Sequence, residues 1–238
     1  MENGSFLYWT RYEGKLLTDL HSNMPLTVYG YETISAGNSD KRKISLPQHN
    51  SFWGFVQCGQ IQIKTALVDW TIKVGQWFCV NDFSDSALTL SPGTKVFLVG
   101  YDNHQGLNSM GGPLEKKGRL KYIDNCTDTI LYSPPLKGDP CLNFLHFPEH
   151  IDQTEHFHPS LRCGIVSSGR GVCIVEDQTY SLEAGTIFFI PADLVHKFCT
   201  NGESDLNVIA FHPDSDWGPT NEMHPMINRT WFDKKLNS

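Results

Sequence analysis

The sequence predicts an all-β protein built from two similar antiparallel units, and three observations lead to that prediction. Short apolar runs rich in β-branched and aromatic residues are separated by glycine, proline and polar turns, as expected for short strands. The chain has 20 glycines, 13 prolines and 12% aromatic residues, which suits many turns better than long helices. A shift of 110 residues superposes the two halves without a gap.

The first half of the chain contains a series of predicted strands joined by short turns. The apolar runs lie at residues 28–34, 52–56, 60–68, 70–74, 76–80 and 95–101. Gly59, Gly75 and Pro92-Gly93 interrupt them, and tight turns favour glycine and proline. Residues 103–140 are rich in glycine, proline, lysine and aspartate, as is typical of a connection. We therefore predict an N-terminal unit at residues 1–120 and a C-terminal unit at residues 121–238.

The repeat is supported mainly by glycines that coincide in the two halves. The pairs are Gly54 with Gly164, Gly59 with Gly169, and Gly75 with Gly185. Aromatic residues coincide as well: Trp70 with Tyr180, Phe78 with Phe188, and Tyr101 with Phe211. A glycine marks a turn with positive φ or a place where a side chain would clash, so matching glycines predict matching backbones. The pattern indicates duplication of one β unit.

Three histidines of the second half have the spacing of a metal site. His156 and His158 are one residue apart, so in a strand their side chains point to the same face. His196 follows a second predicted strand at residues 185–191. If the two strands lie side by side, three imidazoles converge on one point. Three imidazoles form a first coordination shell for a divalent transition metal.

The first half has lost these histidines. Under the 110-residue shift, His156, His158, Cys163 and His196 correspond to Leu46, Gln48, Trp53 and Ser86. We therefore expect the N-terminal unit to be a scaffold without metal ligands, its interior filled by Trp53 and neighbouring residues.

Two segments of the second half together resemble the sequence motifs of the cupin superfamily, in its two-domain bicupin form. The first motif begins at His156 and closes at Gly169. The second contains Gly185, Pro191, His196 and Asn201. The resemblance implies two tandem antiparallel jelly-roll (cupin) β-barrels: a degenerate N-terminal barrel, and a C-terminal barrel that holds a metal through His156, His158 and His196.

Three further residues are candidates for catalysis. Cys163 stands where cupins commonly have a glutamate ligand, which is similar to the cysteine dioxygenases; a role as a small core residue is the alternative. Arg162 could pair with a substrate carboxylate or form a surface ion pair. His212 opens a tail that continues to Arg229 and contains His224. We consider an acid–base role for His212 or His224, with a loop that clamps the two barrels as the alternative.

The resemblance and the ligand set suggest three classes of function. The leading hypothesis is a non-haem oxygenase that acts on a small chelating organic acid, with Fe(II) favoured and Ni, Mn, Cu or Zn as alternatives. Three neutral imidazoles leave the full charge of the metal for an anionic substrate, and dioxygen would take a remaining position. A redox-neutral isomerase or lyase would use the metal as a Lewis acid. A non-catalytic cupin that binds a small molecule is the third class.

Composition narrows the partners and the location that we expect. The net charge of −7 argues against a nucleic-acid-binding surface. No apolar run is long enough for a membrane span, and the first nine residues do not resemble a secretory signal. Seven cysteines without a CxxC pair favour free thiols in a reducing cytoplasm. We expect a cytoplasmic protein with a small-molecule substrate, and a homodimer is plausible because bicupins often pair their barrels.

Overall fold

The computed structural model describes residues 4–19, 25–34, 40–81, 87–102, 104–133 and 138–214. Within these ranges the regular structure consists of nineteen β-strands and one short 3-10 turn, Ile123–Asn125. The prediction of an all-β fold is therefore confirmed. No described helix is long and apolar enough to cross a membrane.

The first half contributes eleven strands. They are β1 (Leu7–Trp9), β2 (Glu13–Asp19), β3 (Leu26–Glu32), β4 (Arg42–Ile44), β5 (Ser51–Cys58), β6 (Gln60–Lys64), β7 (Asp69–Lys73), β8 (Trp77–Asn81), β9 (Ala87–Leu90), β10 (Lys95–Tyr101) and β11 (Ser109–Gly111). The pairing order β11-β8-β5-β10-β3-β2 forms a six-stranded antiparallel sheet, and β4-β9-β6-β7 forms a four-stranded one. Two facing sheets of this kind are the layers of a jelly roll.

The second half contributes eight strands. They are β12 (Leu120–Lys121), β13 (Thr127–Tyr132), β14 (Cys141–Phe147), β15 (Arg162–Val175), β16 (Gln178–Glu183), β17 (Ile187–Ile190), β18 (Lys197–Cys199) and β19 (Leu206–His212). Their main path runs β17-β15-β19-β14-β13-β12, and β16 and β18 pair with the far end of β15. The edge of this path is completed by β1, which pairs with β17 although it comes from the first half.

The turn geometry bears out the repeat. Gly59 and Gly169 have φ of 73° and 77°, and Gly75 and Gly185 have φ of 78° and 92°. Each of these values lies in the left-handed region that favours glycine. The backbone hydrogen bonds around the second pair repeat as well, because Gly75 donates to Val56 and Gly185 to Val166, both at 2.8 Å.

The repeat register fails in its last strand. Trp53 pairs with Val99, whereas its counterpart Cys163 pairs with Phe211, which lies 112 residues beyond Val99. The second half therefore has two extra residues before β19. The coincidence of Tyr101 with Phe211 predicted from sequence is not a structural equivalence.

The apolar residues form three clusters, one within each half and one between them. Phe52 and Phe78 lie in the cluster of the first half, and Phe188 and Phe198 lie in that of the second. Trp53 belongs to the cluster between the halves, where its ring centroid lies 5.3 Å from that of Phe211. The expectation that Trp53 fills the interior of the N-terminal unit was therefore wrong, since side chains alternate along β5 and Phe52 takes that face.

The cluster between the halves packs the large sheets of the two units against each other. Two buried tyrosine hydroxyls cross this boundary: Tyr12 donates to the carbonyl of Gly185 at 3.0 Å, and Tyr101 donates to that of Pro213 at 3.3 Å. The boundary at residue 120 remains a prediction. The N-terminal strand β1 does not stay within its own unit, because it pairs with β17 at the edge of the second unit.

We predict that Gly164→Ala destabilises the fold. A methyl group at Gly164 would lie 2.1 Å from the backbone carbonyl oxygen of Ile209 and 2.8 Å from the ring of Phe188. Overpacking of this kind costs about 1–3 kcal/mol, and a backbone contact has little room to relax. Urea denaturation measures the loss, with the exposed strand residue Thr179→Ala as a control that changes stability by less than about 0.5 kcal/mol. Equal stability of the two variants would contradict the close packing at Gly164.

Candidate metal centre

A cavity lies inside the C-terminal barrel, between its two layers of strands. The space open to a small molecule is limited, about 30 Å³. Its apolar wall includes Phe147, Phe188, Ile190 and Phe198. Polar side chains of the same cavity are Tyr122, Asn143, Gln153, His156, His158, Arg162, His196 and His212.

The structure brings the three predicted histidines together at this cavity. His156 and His196 form an isolated antiparallel bridge, in which each backbone N–H donates to the other's carbonyl at 3.0 and 2.9 Å. The ring centroids lie 4.6 Å apart for His156 and His196, 5.1 Å for His156 and His158, and 5.3 Å for His158 and His196. One ring nitrogen of each lies within 4.8 Å of those of the other two. The segment around His156 is thus a single bridge and not the regular strand that the sequence suggested.

Backbone carbonyls fix the orientation of two of the three rings. Nδ1 of His156 lies 2.9 Å from the carbonyl oxygen of Thr154, and Nδ1 of His196 lies 2.8 Å from that of Leu194. A carbonyl oxygen only accepts hydrogen bonds, so each Nδ1 carries the proton and donates it. The lone pair of each neutral ring is then on Nε2. Metal-binding histidines commonly have this arrangement, which sets the tautomer before the ion binds.

Burial keeps the imidazoles neutral. It lowers the pKa of His196 to about 4, with a contribution from neighbouring His156. Burial, followed by the positive charge of Arg162, lowers the pKa of His158 and that of His212 well below the usual range. The pKa of His156 is also lowered by burial. All four rings can therefore offer a lone pair at neutral pH.

Arg162 and His212 line the same cavity as the three histidines. Arg162 is 5% exposed, and its Nη1 donates to the carbonyl of Leu161 at 2.9 Å and to the hydroxyl of Ser160. Asp214 lies 3.8 Å from this guanidinium. Arg162 is the first residue of β15 and His212 is the last residue of β19. The side chains of both face the inside of the barrel and line the cavity.

Cys163 is separated from the other predicted site residues. It follows Arg162 on β15 and so points to the opposite face, where it packs in the cluster between the halves with Ile165 and Phe211. It is completely buried, and burial raises the pKa of its thiol. Its thiol is thus directed away from the cavity, which agrees with the alternative of a small core residue and not with a role at or near the metal.

Aromatic residues on the neighbouring strands divide between the two faces in the same way. Phe198 lines the cavity, whereas Phe189 and Phe211 lie in the cluster between the halves. Cys173 lies in the barrel's apolar cluster but not on the cavity wall that we describe. The tail from residue 215 onward, with His224, lies outside the described residues.

Sequence reasoning missed the polar residues on the far strands of the barrel. Asn143 is a single amide within the apolar strand β14, and Gln153 stands in the loop before the first histidine. Asp128, on β13, lies behind Asn143 and accepts a hydrogen bond from its Nδ2 at 2.8 Å. In the sequence, the only feature that could have identified Asn143 is a polar residue among the inward-facing positions of a strand. The sequence does not show which face of that strand is inward.

Comparison with known proteins agrees with this architecture. The family model of the cupin domain matches residues 144–212. No curated protein sequence matches the chain. Solved structures share the fold at low identity, and three of them illustrate the range.

The first is a cupin 2 conserved barrel domain protein from Leptotrichia buccalis, with a TM-score of 0.54 and 11% identity over 90% of this chain and 91% of that one. A putative glyoxylate-induced protein from Pseudomonas aeruginosa has a TM-score of 0.56 and 11% identity over 87% and 80%. An oxalate decarboxylase from Bacillus subtilis, described with Mn(II) centres, has a TM-score of 0.52 and 10% identity over 90% and 78%. The fold of the chain is therefore similar to that of cupin proteins over most of its length, and residues 144–212 match the model of the cupin domain.

We predict that Asp128→Asn changes the pH dependence of stability. Burial raises the pKa of Asp128 to about 7, despite the opposing hydrogen bond from Asn143. An unfolded aspartate titrates near pH 4, so between about pH 4 and 7 the folded state keeps a proton that the unfolded state loses. The stability contributed by Asp128 then falls as the pH rises, by at most about 1.4 kcal/mol per pH unit. Asparagine does not ionise and avoids this loss.

Urea denaturation at several pH values between about 4 and 7 measures the difference. The variant should gain stability relative to the wild type as the pH rises. A difference that stays constant with pH would contradict the proposed burial of an ionisable carboxyl. The exposed turn residue Asp177→Asn serves as the control, with little effect on stability at either end of the range.

Proposed function

We propose that this protein is a metal-dependent enzyme that acts on a small organic acid, with His156, His158 and His196 as the metal ligands. The observation that supports this most directly is the arrangement of His156 and His196, whose Nδ1–H groups donate to backbone carbonyls and leave Nε2 available. His158 contributes a ring nitrogen within 4.8 Å of the other two. Neutral imidazoles at this spacing, His196 buried and the other two partly exposed, suit a divalent transition metal.

The donor set favours an anionic substrate. Among the described residues, the cluster contains three histidines and no carboxylate or thiolate, so a bound divalent ion would keep its full charge. Arg162 adds a buried positive charge at the same cavity. A small acid with one or two charged oxygens would compensate the charge of the ion, and the limited free volume of about 30 Å³ favours a small ligand.

We propose that the reaction is an oxygenation, with Fe(II) as the favoured ion; Ni, Mn, Cu and Zn remain alternatives. An iron centre would supply the open coordination positions and the redox chemistry that dioxygen requires. Arg162 would bind and orient the acid. The apolar wall of Phe147, Phe188 and Phe198 would exclude water from the reacting atoms.

His212 would act on protons of the bound substrate. Its imidazole is neutral, since burial and Arg162 lower its pKa, and a neutral imidazole has one basic nitrogen. The positive charge of Arg162, which Asp214 faces at 3.8 Å, keeps His212 a weak base. Binding of an anionic acid would reduce that charge and make His212 a stronger base when substrate is present.

A redox-neutral lyase is the second candidate. It is favoured by the similarity in fold to the oxalate decarboxylase that is described with Mn(II) centres. In such a reaction the ion would serve as a Lewis acid for a carboxylate substrate, and the same residues would bind it. A cupin that binds a small acid without transforming it is the non-enzymatic alternative.

We predict that His196→Ala loses the metal and Cys163→Ala retains it. His196 is 1% exposed and lies at the centre of the bridge that unites the ligands, whereas Cys163 points away from the cavity. Elemental analysis of untagged protein purified without chelator measures the ion per chain. The expected content is about one ion in the wild type and in Cys163→Ala, and close to none in His196→Ala.

The surface histidine His150→Asn is a further control, because asparagine tolerates the positive φ of 61° at this position. Circular dichroism would verify that each variant is folded. Loss of metal in Cys163→Ala, or full retention in His196→Ala, would contradict the proposed ligand set.

We predict oxygen consumption by the Fe(II)-loaded protein with a small keto or hydroxy acid. An oxygen electrode measures uptake, and Arg162→Gln should raise KM more than it lowers kcat because its main role is to bind the acid. The loss of one charge-assisted hydrogen bond is worth about tenfold in affinity or more. Turnover of the acid without oxygen uptake would favour the lyase instead. Metal uptake without turnover of any tested acid would favour the non-catalytic alternative.

A further inference from the structure

Two buried amides in the cavity have their orientations fixed by the protein, and each has one polar atom without a partner among the described residues. They are Asn143 and Gln153, which are 0% and 1% exposed and both line the cavity. The atoms in question are Oδ1 of Asn143 and Nε2 of Gln153. A buried polar atom without a hydrogen bond is destabilising, so such atoms in a binding cavity indicate what the ligand must provide.

The orientation of Asn143 follows from its contact with Asp128. Nδ2 of Asn143 donates to Oδ2 of Asp128 at 2.8 Å, in the interior of the barrel wall where both side chains are fully buried. Above the pKa of Asp128, which burial raises to about 7, the carboxylate oxygen can only accept this bond, so the amide nitrogen is the atom on that side. The amide oxygen of Asn143 is consequently available as an acceptor. Asp128 is thus a positioning residue for Asn143.

The orientation of Gln153 follows from a backbone contact. The side-chain Oε1 of Gln153 accepts a hydrogen bond from the backbone N–H of Phe198 at 3.3 Å. The backbone N–H of Gln153 in turn donates to the backbone carbonyl of Phe198 at 3.1 Å. The amide oxygen must be the atom that faces the N–H of Phe198, because an amide nitrogen cannot accept. Nε2 of Gln153 is therefore the available atom, and it is a donor.

We infer that Asn143 and Gln153 form a specificity site for an organic acid that carries a hydroxyl or amino group. The hydroxyl or amino group of the ligand would donate a hydrogen bond to Oδ1 of Asn143. A carboxylate or carbonyl oxygen of the ligand would accept a hydrogen bond from Nε2 of Gln153. This inference names the substrate class of the cavity and so rests on the proposed function. The site would discriminate against a keto acid, because the carbonyl oxygen of a keto group and Oδ1 of Asn143 are both acceptors and cannot form a hydrogen bond with each other.

Lactate and pyruvate are suitable probes for this inference. They have the same number of non-hydrogen atoms and the same carboxylate, and each can chelate a metal through two oxygens. They differ in that lactate has a hydroxyl donor where pyruvate has a carbonyl acceptor. Discrimination by one buried hydrogen-bonding group is large, since the wrong ligand leaves the protein atom unpaired.

Isothermal titration calorimetry of the wild-type protein with each acid at about pH 8, where Asp128 is ionised, tests the inference in Zn(II)-loaded and metal-free protein. We expect lactate to bind at least about tenfold more tightly than pyruvate. In Asn143→Leu this preference should disappear. It should persist in the control Asn81→Leu, which replaces a buried amide of the first half that does not line the cavity. In Gln153→Met both acids should bind more weakly, with their ratio retained.

Three results would overturn the inference: equal or tighter binding of pyruvate by the wild type, a lactate preference that survives in Asn143→Leu, or no binding of either acid. The comparison on the wild type does not depend on the folding of any variant. Failure of the proposed function gives a different result, because elemental analysis would then find no Zn(II) uptake. In that case, a preference for lactate in the metal-free protein still supports the amide pair, and its absence there overturns it.

Discussion

The backbone bridge between His156 and His196 is the interaction on which the candidate site depends. Two hydrogen bonds, at 3.0 and 2.9 Å, join segments that are forty residues apart in the chain. Without this pairing the loop that contains His156 and His158 would have no fixed position relative to His196. The carbonyls of Thr154 and Leu194 then orient the rings, each two residues before the histidine that it contacts. The same short motif, a carbonyl and a ring two residues later, thus prepares two of the three ligands.

The two halves differ in what occupies the positions that line the metal-centre cavity. Large sheets from both halves meet in an apolar cluster that contains Trp53 of the first half and Phe211 of the second. Within the first half, Phe52 and Phe78 fill the space that corresponds to the cavity side of the second. A barrel filled with aromatic side chains gives stability through burial, whereas one with buried amides and imidazoles requires a ligand or an ion to satisfy them.

Much of the fold could be predicted from local sequence, because the signals were local. The glycines at the repeated turns have positive φ, as their positions in the repeat indicated, and alternating apolar runs became strands. The register of the last strand could not be predicted. Two extra residues between β17 and β19 shift Phe211 relative to its apparent counterpart Tyr101, and no residue type marks where such an insertion falls. The pairing of β1 with β17 likewise has no local signature.

The sequence by itself determined the all-β class, the duplicated unit and the three histidines that could meet, since spacing and turn chemistry are properties of short segments. Only the tertiary structure decided which neighbours share a face with those histidines. Arg162 and Cys163 are adjacent in sequence, yet one lines the cavity and the other packs between the halves. Likewise, only the folded barrel places Asn143 and Gln153 on the wall of the cavity that the histidines line. The physical reason is that a strand has two faces, and the arrangement of the sheets decides which one is inside.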